Sequence, residues 1–203
     1  VNLEFEAAVA GGIPIVRTIK EGLATNKITK VYGILNGTCN YILSQMEKTK
    51  DSFKNVLKNA QKLGYAEPGN PKLDLNGYDA LAKVKILSAL AFNCKISKSQ
   101  SLMEGIEKIE ATDFDIVEKL NLRIKLLGIT EIINKKIFER VHPCLVSRDS
   151  YIGNVTDVMN AVILEGNPVG ESVMQGEGAG SGPTTSALMS DLLSILRGNI
   201  KFP

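Results

Sequence analysis

Leu122-Arg-Ile-Lys-Leu-Leu-Gly-Ile-Thr-Glu-Ile-Ile133, then Asn134-Lys135, then Ile137-Phe-Glu-Arg-Val-His-Pro-Cys-Leu-Val146, is the stretch that decides the fold. Two extended runs flank a polar pair suited to a tight reversal, which predicts an antiparallel hairpin. Downstream, 160–164 and 172–174 are two more extended runs, and Gly153-Asn154 and Gly166-Asn167-Pro168 supply the turns. Toward the N-terminus, 28–35 is β-branched and apolar and predicts one buried strand. The rest of the first half reads as helix. Helices gathered in one half and strands in the other predict the α+β class: a largely antiparallel or mixed sheet with helices packed on one face.

Pro14 suits a first helical position, and Ile15, Ile19 and Leu23 recur every four residues, so 14–24 is predicted helical. Asn36 or Thr38 caps a helix from Asn40 to Met46. Asp51 caps the next, whose stripe is Phe53, Val56, Leu57, Ala60 and Leu63, and Gly64 stops it. A long helix over 77–92 carries Leu81, Val84, Leu87 and Leu90 on its buried face. Residues 103–109 read as a strand and 112–120 as a helix. A glycine-rich loop, 176–182, leads into an amphipathic helix over 184–197 that Gly198 ends.

Composition narrows the partners. The chain has 203 residues, 44% hydrophobic and 23% charged, with net charge +2. That is ordinary globular composition, and the small charge argues against nucleic acid or a membrane surface as partner. Cys39, Cys94 and Cys144 are odd in number and widely spaced, which fits a reducing cytosol better than a disulfide framework. A single histidine, His142, makes a histidine-ligated metal site improbable. No apolar run reaches membrane-spanning length.

The polar chemistry concentrates between Gly64 and Lys83. A turn-rich loop holding Glu67 and Asp74 feeds a helix on which Asp79 and Lys83, four apart, share a face. One reading is a surface ion pair worth about 0.3–0.5 kcal/mol, with Asn76 and Asp79 as a variant capping box. The other is a lysine held among acids in a drier pocket, able to give or take a proton. Gly176 to Gly182 is neither a dinucleotide fingerprint nor a Walker loop. It offers unhindered backbone N–H groups before a helix, or serves as a plain linker. Asn36-Gly37-Thr38, at a strand-to-helix switch, is a substrate-facing turn or simply a cap. Glu6, before a glycine-bent backbone, presents oxygens to a hard cation or is ordinary loop. Cys39 reads as a small buried residue and His142 as structural.

These motifs occur in one order: 6–14 (Glu-Ala-Ala-Val-Ala-Gly-Gly-Ile-Pro), 33–43 (Gly-Ile-Leu-Asn-Gly-Thr-Cys-Asn-Tyr-Ile-Leu), Gly64-Tyr-Ala-Glu-Pro68, Asp74 through Lys83, and Gly176-x-Gly-Ala-Gly180 with Pro183-Thr184. Together they resemble the substrate-binding and dimerisation region of homoserine dehydrogenase, over nearly the whole chain. The resemblance implies interconversion of homoserine and aspartate 4-semialdehyde with NAD(P), in the biosynthesis of threonine, methionine and isoleucine. It implies Lys83 as proton donor, with Asp79. Glu67, Asp74, Asp79, Tyr65, Gly37 and Thr38 would bind substrate. Gly64, Gly178 and Gly180 would face the cofactor. Glu6 with backbone oxygens of Val9, Gly11 and Ile13 would hold a structural monovalent metal, sodium in this family.

The resemblance further implies a cytoplasmic homodimer or homotetramer. Residues 1–175 would form the catalytic and dimerisation domain. Residues 176–203 would form a loop and helix packing on a nucleotide-binding domain. That Rossmann domain normally precedes this region, so the chain alone is expected to bind cofactor poorly and not to turn over. The loop at 69–73 is one residue longer than the family's common form, which loosens the placement of Asp74. The alternative is a non-catalytic homodimeric scaffold.

Overall fold

Strands β3 (Leu122–Ile133) and β4 (Lys136–Ser147) pair antiparallel from end to end, with Leu122 opposite Ser147 and Ile133 opposite Lys136. Asn134 and Lys135 at the reversal have φ of 50° and 64°, the doubly left-handed geometry that matches the twist of a hairpin. This is a computed structural model describing residues 3–198 apart from Asn70 and Ser99. Around the hairpin stand β1 (Lys27–Ile34), β2 (Leu102–Met103), β5 (Met159–Asn167) and β6 (Gly170–Glu177). The sheet order is β2-β4-β3-β1-β5-β6. Only β2 with β4 is parallel among the described pairs, so the sheet is mixed and largely antiparallel, as predicted.

The helices are α1 (Ile15–Arg17), α2 (Gly37–Thr49), α3 (Phe53–Lys62), α4 (Lys72–Leu75), α5 (Tyr78–Ala91), α6 (Ala111–Lys119) and α7 (Ser181–Leu196). Ile42, Leu43 and Met46 of α2, Val84 and Leu87 of α5, and Phe114 and Val117 of α6 share one core with Val31, Ile124, Leu126, Val162 and Leu164 of the sheet. Burying each such side chain contributes about 1.5–3 kcal/mol. The opposite sheet face carries Ile34, Leu127, Ile129, Ala161 and Ile163, covered in part by Ile152 and Val155 of the β4–β5 loop. Among the described residues no helix residue joins that second cluster, so the helices lie on one face.

Several boundaries differ from the sequence expectation. The first helix has only Ile15–Arg17 in α geometry, then widens into a π turn over Thr18–Gly22, and Pro14 stands just before it. Helix α2 begins at Gly37 and ends at Thr49, because Asn36 caps it. Ser52, not Asp51, occupies the cap of α3, while Asp51 Oδ1 accepts from the Ser52 N–H at 2.7 Å. Of 103–109 only the first residue joins a strand, because β4 offers β2 a short parallel edge. Asp74 lies not in open loop but in α4, a helical turn. Of the loop at 69–73, Asn70 lies outside the described residues, as do 199–203. Strand β6 runs through Glu177 and α7 starts at Ser181, so the glycine loop is shorter than the run suggests.

Candidate active site

Asn36 is the joint of the site. It follows β1 and precedes α2, and its side chain bonds in both directions. Its Oδ1 accepts from the Cys39 N–H at 2.9 Å, satisfying a helix-end donor. Its Nδ2 donates to Asp74 Oδ1 at 2.8 Å and to Asp79 Oδ2 at 3.0 Å. Lys83 Nζ donates to that same Asp79 oxygen at 2.7 Å and to the Leu35 carbonyl at 2.9 Å. Strand end, short helix and long helix are thus tied by one polar network.

The ion pair between Asp79 and Lys83 is half-buried: the side chains keep 33% and 20% of their exposure. The capping box with Asn76 does not form. Asn76 Oδ1 instead accepts from the Tyr78 N–H at 2.9 Å, which leaves Asp79 free for Asn36 and Lys83. Gly77 caps the start of α5 with a φ of 87°, which a side chain would strain. The Cys39 thiol donates to the Asp74 carbonyl at 3.3 Å. Burial, then the Asp74 charge, pushes its pKa up, so it is a packed thiol and not a thiolate nucleophile.

These groups open on a cleft of about 630 Å3. Gly37, Thr38, Gly64, Tyr65, Asp74, Asp79, Lys83, Gly178 and Gly180 all line it, bringing together nine residues predicted from sequence. Thr38 Oγ1 donates to the Tyr65 carbonyl at 2.7 Å, and the Tyr65 ring lies 4.7 Å from that of Tyr41. Glu67 is exposed and outside the lining; Gln61 Nε2 tethers its carbonyl at 3.0 Å. Sequence reasoning missed Val158, Asn160, Glu177 and Ala179 as wall residues, and read Asn36 as a cap or part of a substrate-facing turn without seeing its bonds to both aspartates. The acids Asp74, Asp79 and Glu177 face one ammonium, Lys83, so the cleft is suited to a ligand carrying positive charge.

Glu6 lies elsewhere, 4% exposed, at the start of α1. Its two carboxylate oxygens accept from the Val16 and Arg17 N–H groups, each at 2.8 Å, and its own N–H donates to Asp191 Oδ2 at 2.9 Å. Burial raises its carboxyl pKa, partly offset by these N–H groups. Capping is a role that sequence reading did not assign. Among the described residues no group of three or more His, Cys, Asp or Glu side chains could hold a metal ion. The donors available at Val9, Gly11 and Ile13 are carbonyl oxygens. One carboxylate with spare lone pairs plus carbonyls fits a monovalent hard cation and not a transition metal.

The structure is thus of the mixed α+β class, with a carboxylate-held lysine and a glycine loop lining one cleft. Comparison with known proteins is specific. The profile of the homoserine dehydrogenase family matches residues 14–193. Homoserine dehydrogenase of Neisseria gonorrhoeae is 48% identical over 197 residues, covering 97% of this chain and 45% of that protein. The crystal structure of a homoserine dehydrogenase from Thiobacillus denitrificans superposes with a TM-score of 0.92 at 47% identity, over 95% of this chain and 44% of that one. A hyperthermophilic archaeal homoserine dehydrogenase mutant in complex with NADPH gives 0.80 at 26% identity, over 98% of this chain and 56% of that one. The chain belongs to the homoserine dehydrogenase family, and it spans about half the length of these relatives.

Proposed function

We propose that this chain is the substrate-binding and catalytic portion of an NAD(P)-dependent enzyme that interconverts L-homoserine and L-aspartate 4-semialdehyde. The observation that carries the reading is the valence of Lys83. An ammonium has three N–H donors; Asp79 and the Leu35 carbonyl take two, leaving one for a ligand in the cleft. When bound, the nicotinamide cofactor supplies and removes the hydride, and the archaeal relative in complex with NADPH supports its assignment. As the aldehyde is reduced, negative charge grows on its oxygen. Lys83 stabilises that charge and delivers the proton, and Asp79, 2.7 Å from its Nζ, holds the lysine in place. In the oxidising direction the same pair receives the proton.

The substrate ammonium is assigned to Asp74 within the cleft and to Glu67, which stands outside the lining in this structure, through charge-assisted hydrogen bonds. Tyr65, Gly37 and Thr38 shape the pocket. Gly64, Gly178 and Gly180 give the cofactor close approach to backbone. Glu6, with the carbonyls of Val9, Gly11 and Ile13, would hold a sodium-like cation that orders the entry to α1 and stays outside the chemistry. The helix-free sheet face supports a homodimer or homotetramer. Among the described residues no helix is long and apolar enough to cross a membrane; a cytosolic enzyme is part of this proposal. A pure scaffold accounts for the network that ties these elements but not for the third Lys83 N–H facing the cleft.

Lys83→Ala in the full-length enzyme tests the reading. Turnover of homoserine should fall about a hundredfold or more, with the homoserine KM changed only a few-fold. Near-normal kcat would remove Lys83 from the role.

A further inference from the structure

The last turn of α3 holds the loop that carries Glu67, and it does so in two stages. Backbone carbonyls hold the first. Ala60 accepts from the Tyr65 and Ala66 N–H groups at 2.9 and 3.3 Å, and Gln61 accepts from the Gly64 N–H at 3.1 Å. Ala66 is buried, and Thr38 Oγ1 donates to the Tyr65 carbonyl, so 64–66 are fixed from both α3 and α2. Beyond Ala66 these ties stop. Among the described residues no backbone–backbone hydrogen bond involves 67, 68 or 69. Here the Gln61 side chain takes over: its Nε2 donates to the Glu67 carbonyl at 3.0 Å and to the Gly69 carbonyl at 3.1 Å. Two carbonyls can be met only by donors, so the partners themselves fix which way this amide points.

We infer that Gln61 is a positioning residue: it fixes the backbone at Glu67 so that this carboxylate can meet the substrate ammonium. The inference rests on the reading of Glu67 given above. Glu67 is exposed, and its carboxylate has no hydrogen bond or ion pair among the described residues. Tyr65, two residues earlier, lines the cleft, which puts the Glu67 Cα no more than about 7.6 Å from that of a wall residue. A change of rotamer then brings the free carboxylate to the cleft, provided its backbone stays put. Without the tether, 67–69 must be ordered each time substrate binds, and affinity falls. Lys83 and Asp79 bond to Leu35 and Asn36 on the other side, so the proton-transfer pair is held independently of Gln61.

The test uses the full-length enzyme with Gln61→Met, Gln61→Glu, Glu67→Ala and the double variant Gln61→Met with Glu67→Ala, each with a melting curve. Gln61→Met keeps the length of the side chain without its donors, and Gln61→Glu sets an oxygen against the same two carbonyls. Gln61→Met should raise the homoserine KM about fivefold with kcat within about twofold, and Gln61→Glu should raise KM further. In the Glu67→Ala background, Gln61→Met should change KM by less than about twofold, because the two residues act as one unit. A glutamine that only stabilises the fold would shift the melting curve and leave KM alone. KM unchanged or lowered by Gln61→Met overturns the inference, as does an equal rise with and without Glu67. Should Gln61→Glu fail to fold, Gln61→Met decides. Wild-type KM in Glu67→Ala refutes the assignment of the substrate ammonium to Glu67, and this inference with it. A raised KM there, with wild-type KM in Gln61→Met, refutes only the role of Gln61.

Discussion

Lys125 is the residue whose chemistry the site does not use. It is 1% exposed on β3, and its Nζ donates to Asn40 Oδ1 at 3.2 Å and to the Val155 carbonyl. Burial lowers its pKa from 10.5 to about 8, against a partly compensating pull from Glu47. The unfolded chain therefore binds the proton more tightly than the folded one. Below pH 8 both states are protonated and the folded state bears the full penalty, roughly 3 kcal/mol. As pH rises from about 8 toward 10.5 the folded lysine is neutral while the unfolded one is still charged, and that penalty fades. Stability of wild type relative to Lys125→Met should therefore climb across this window in denaturant titrations. Parallel pH profiles for the two proteins would show that Lys125 is not the source.

At the scale of elements, Asn36 couples the cap of α2 to both aspartates, so it has more than a cap's worth of effect. Asn36→Ala should cost about 1 kcal/mol for the lost cap. It also frees Asp74 and reduces the restraint on Asp79, so kcat in the full-length enzyme should fall at least several-fold. A melting shift with unchanged kcat would confine Asn36 to capping. Sequence disclosed the elements where a local rule suffices. The β3–β4 hairpin followed from its turn pair, the buried face of α5 from its period, and the end of α3 from Gly64. It misjudged what depends on partners distant in the chain. The 103–109 run fails as a strand because only the β4 edge meets it, at Leu102 and Met103. The Asp79–Lys83 spacing was legible, but whether that pair is wet or half-buried depends on Leu35, 48 residues from Lys83. Asn160 gave no local signal, since one Asn in an apolar strand looks the same with or without a cleft beside it. The capping of Val16 and Arg17 by Glu6, a role beside the oxygen donor read from sequence, was likewise hidden because it needs the chain to fold back across the Gly11-Gly12 bend.

Across the whole molecule, α7 has its polarity inverted. It buries Ala187, Asp191 and Ser194, with Asp191 Oδ2 accepting from the Glu6 N–H and Ser190 Oγ accepting from Arg17 at 2.6 Å. It turns outward Leu188, Leu192, Leu193 and Leu196, between 45% and 71% exposed. A contiguous apolar helix face in water marks a surface that another body covers. The glycine loop immediately before α7 borders the cleft, so a body seated on α7 would also close the cofactor side. We propose that this body is the nucleotide-binding portion expected from the family resemblance; the relatives are about twice as long as this chain. Leu188→Lys combined with Leu192→Lys discriminates. In this chain alone the pair should change unfolding free energy by no more than about 0.5 kcal/mol per site, as exposed substitutions do. In the full-length enzyme it should lower the melting temperature and weaken NAD(P) binding at least several-fold, because two charges would be buried without partners. Equal losses in both proteins would assign the face to this domain's own packing, and no loss in either would leave it an open surface.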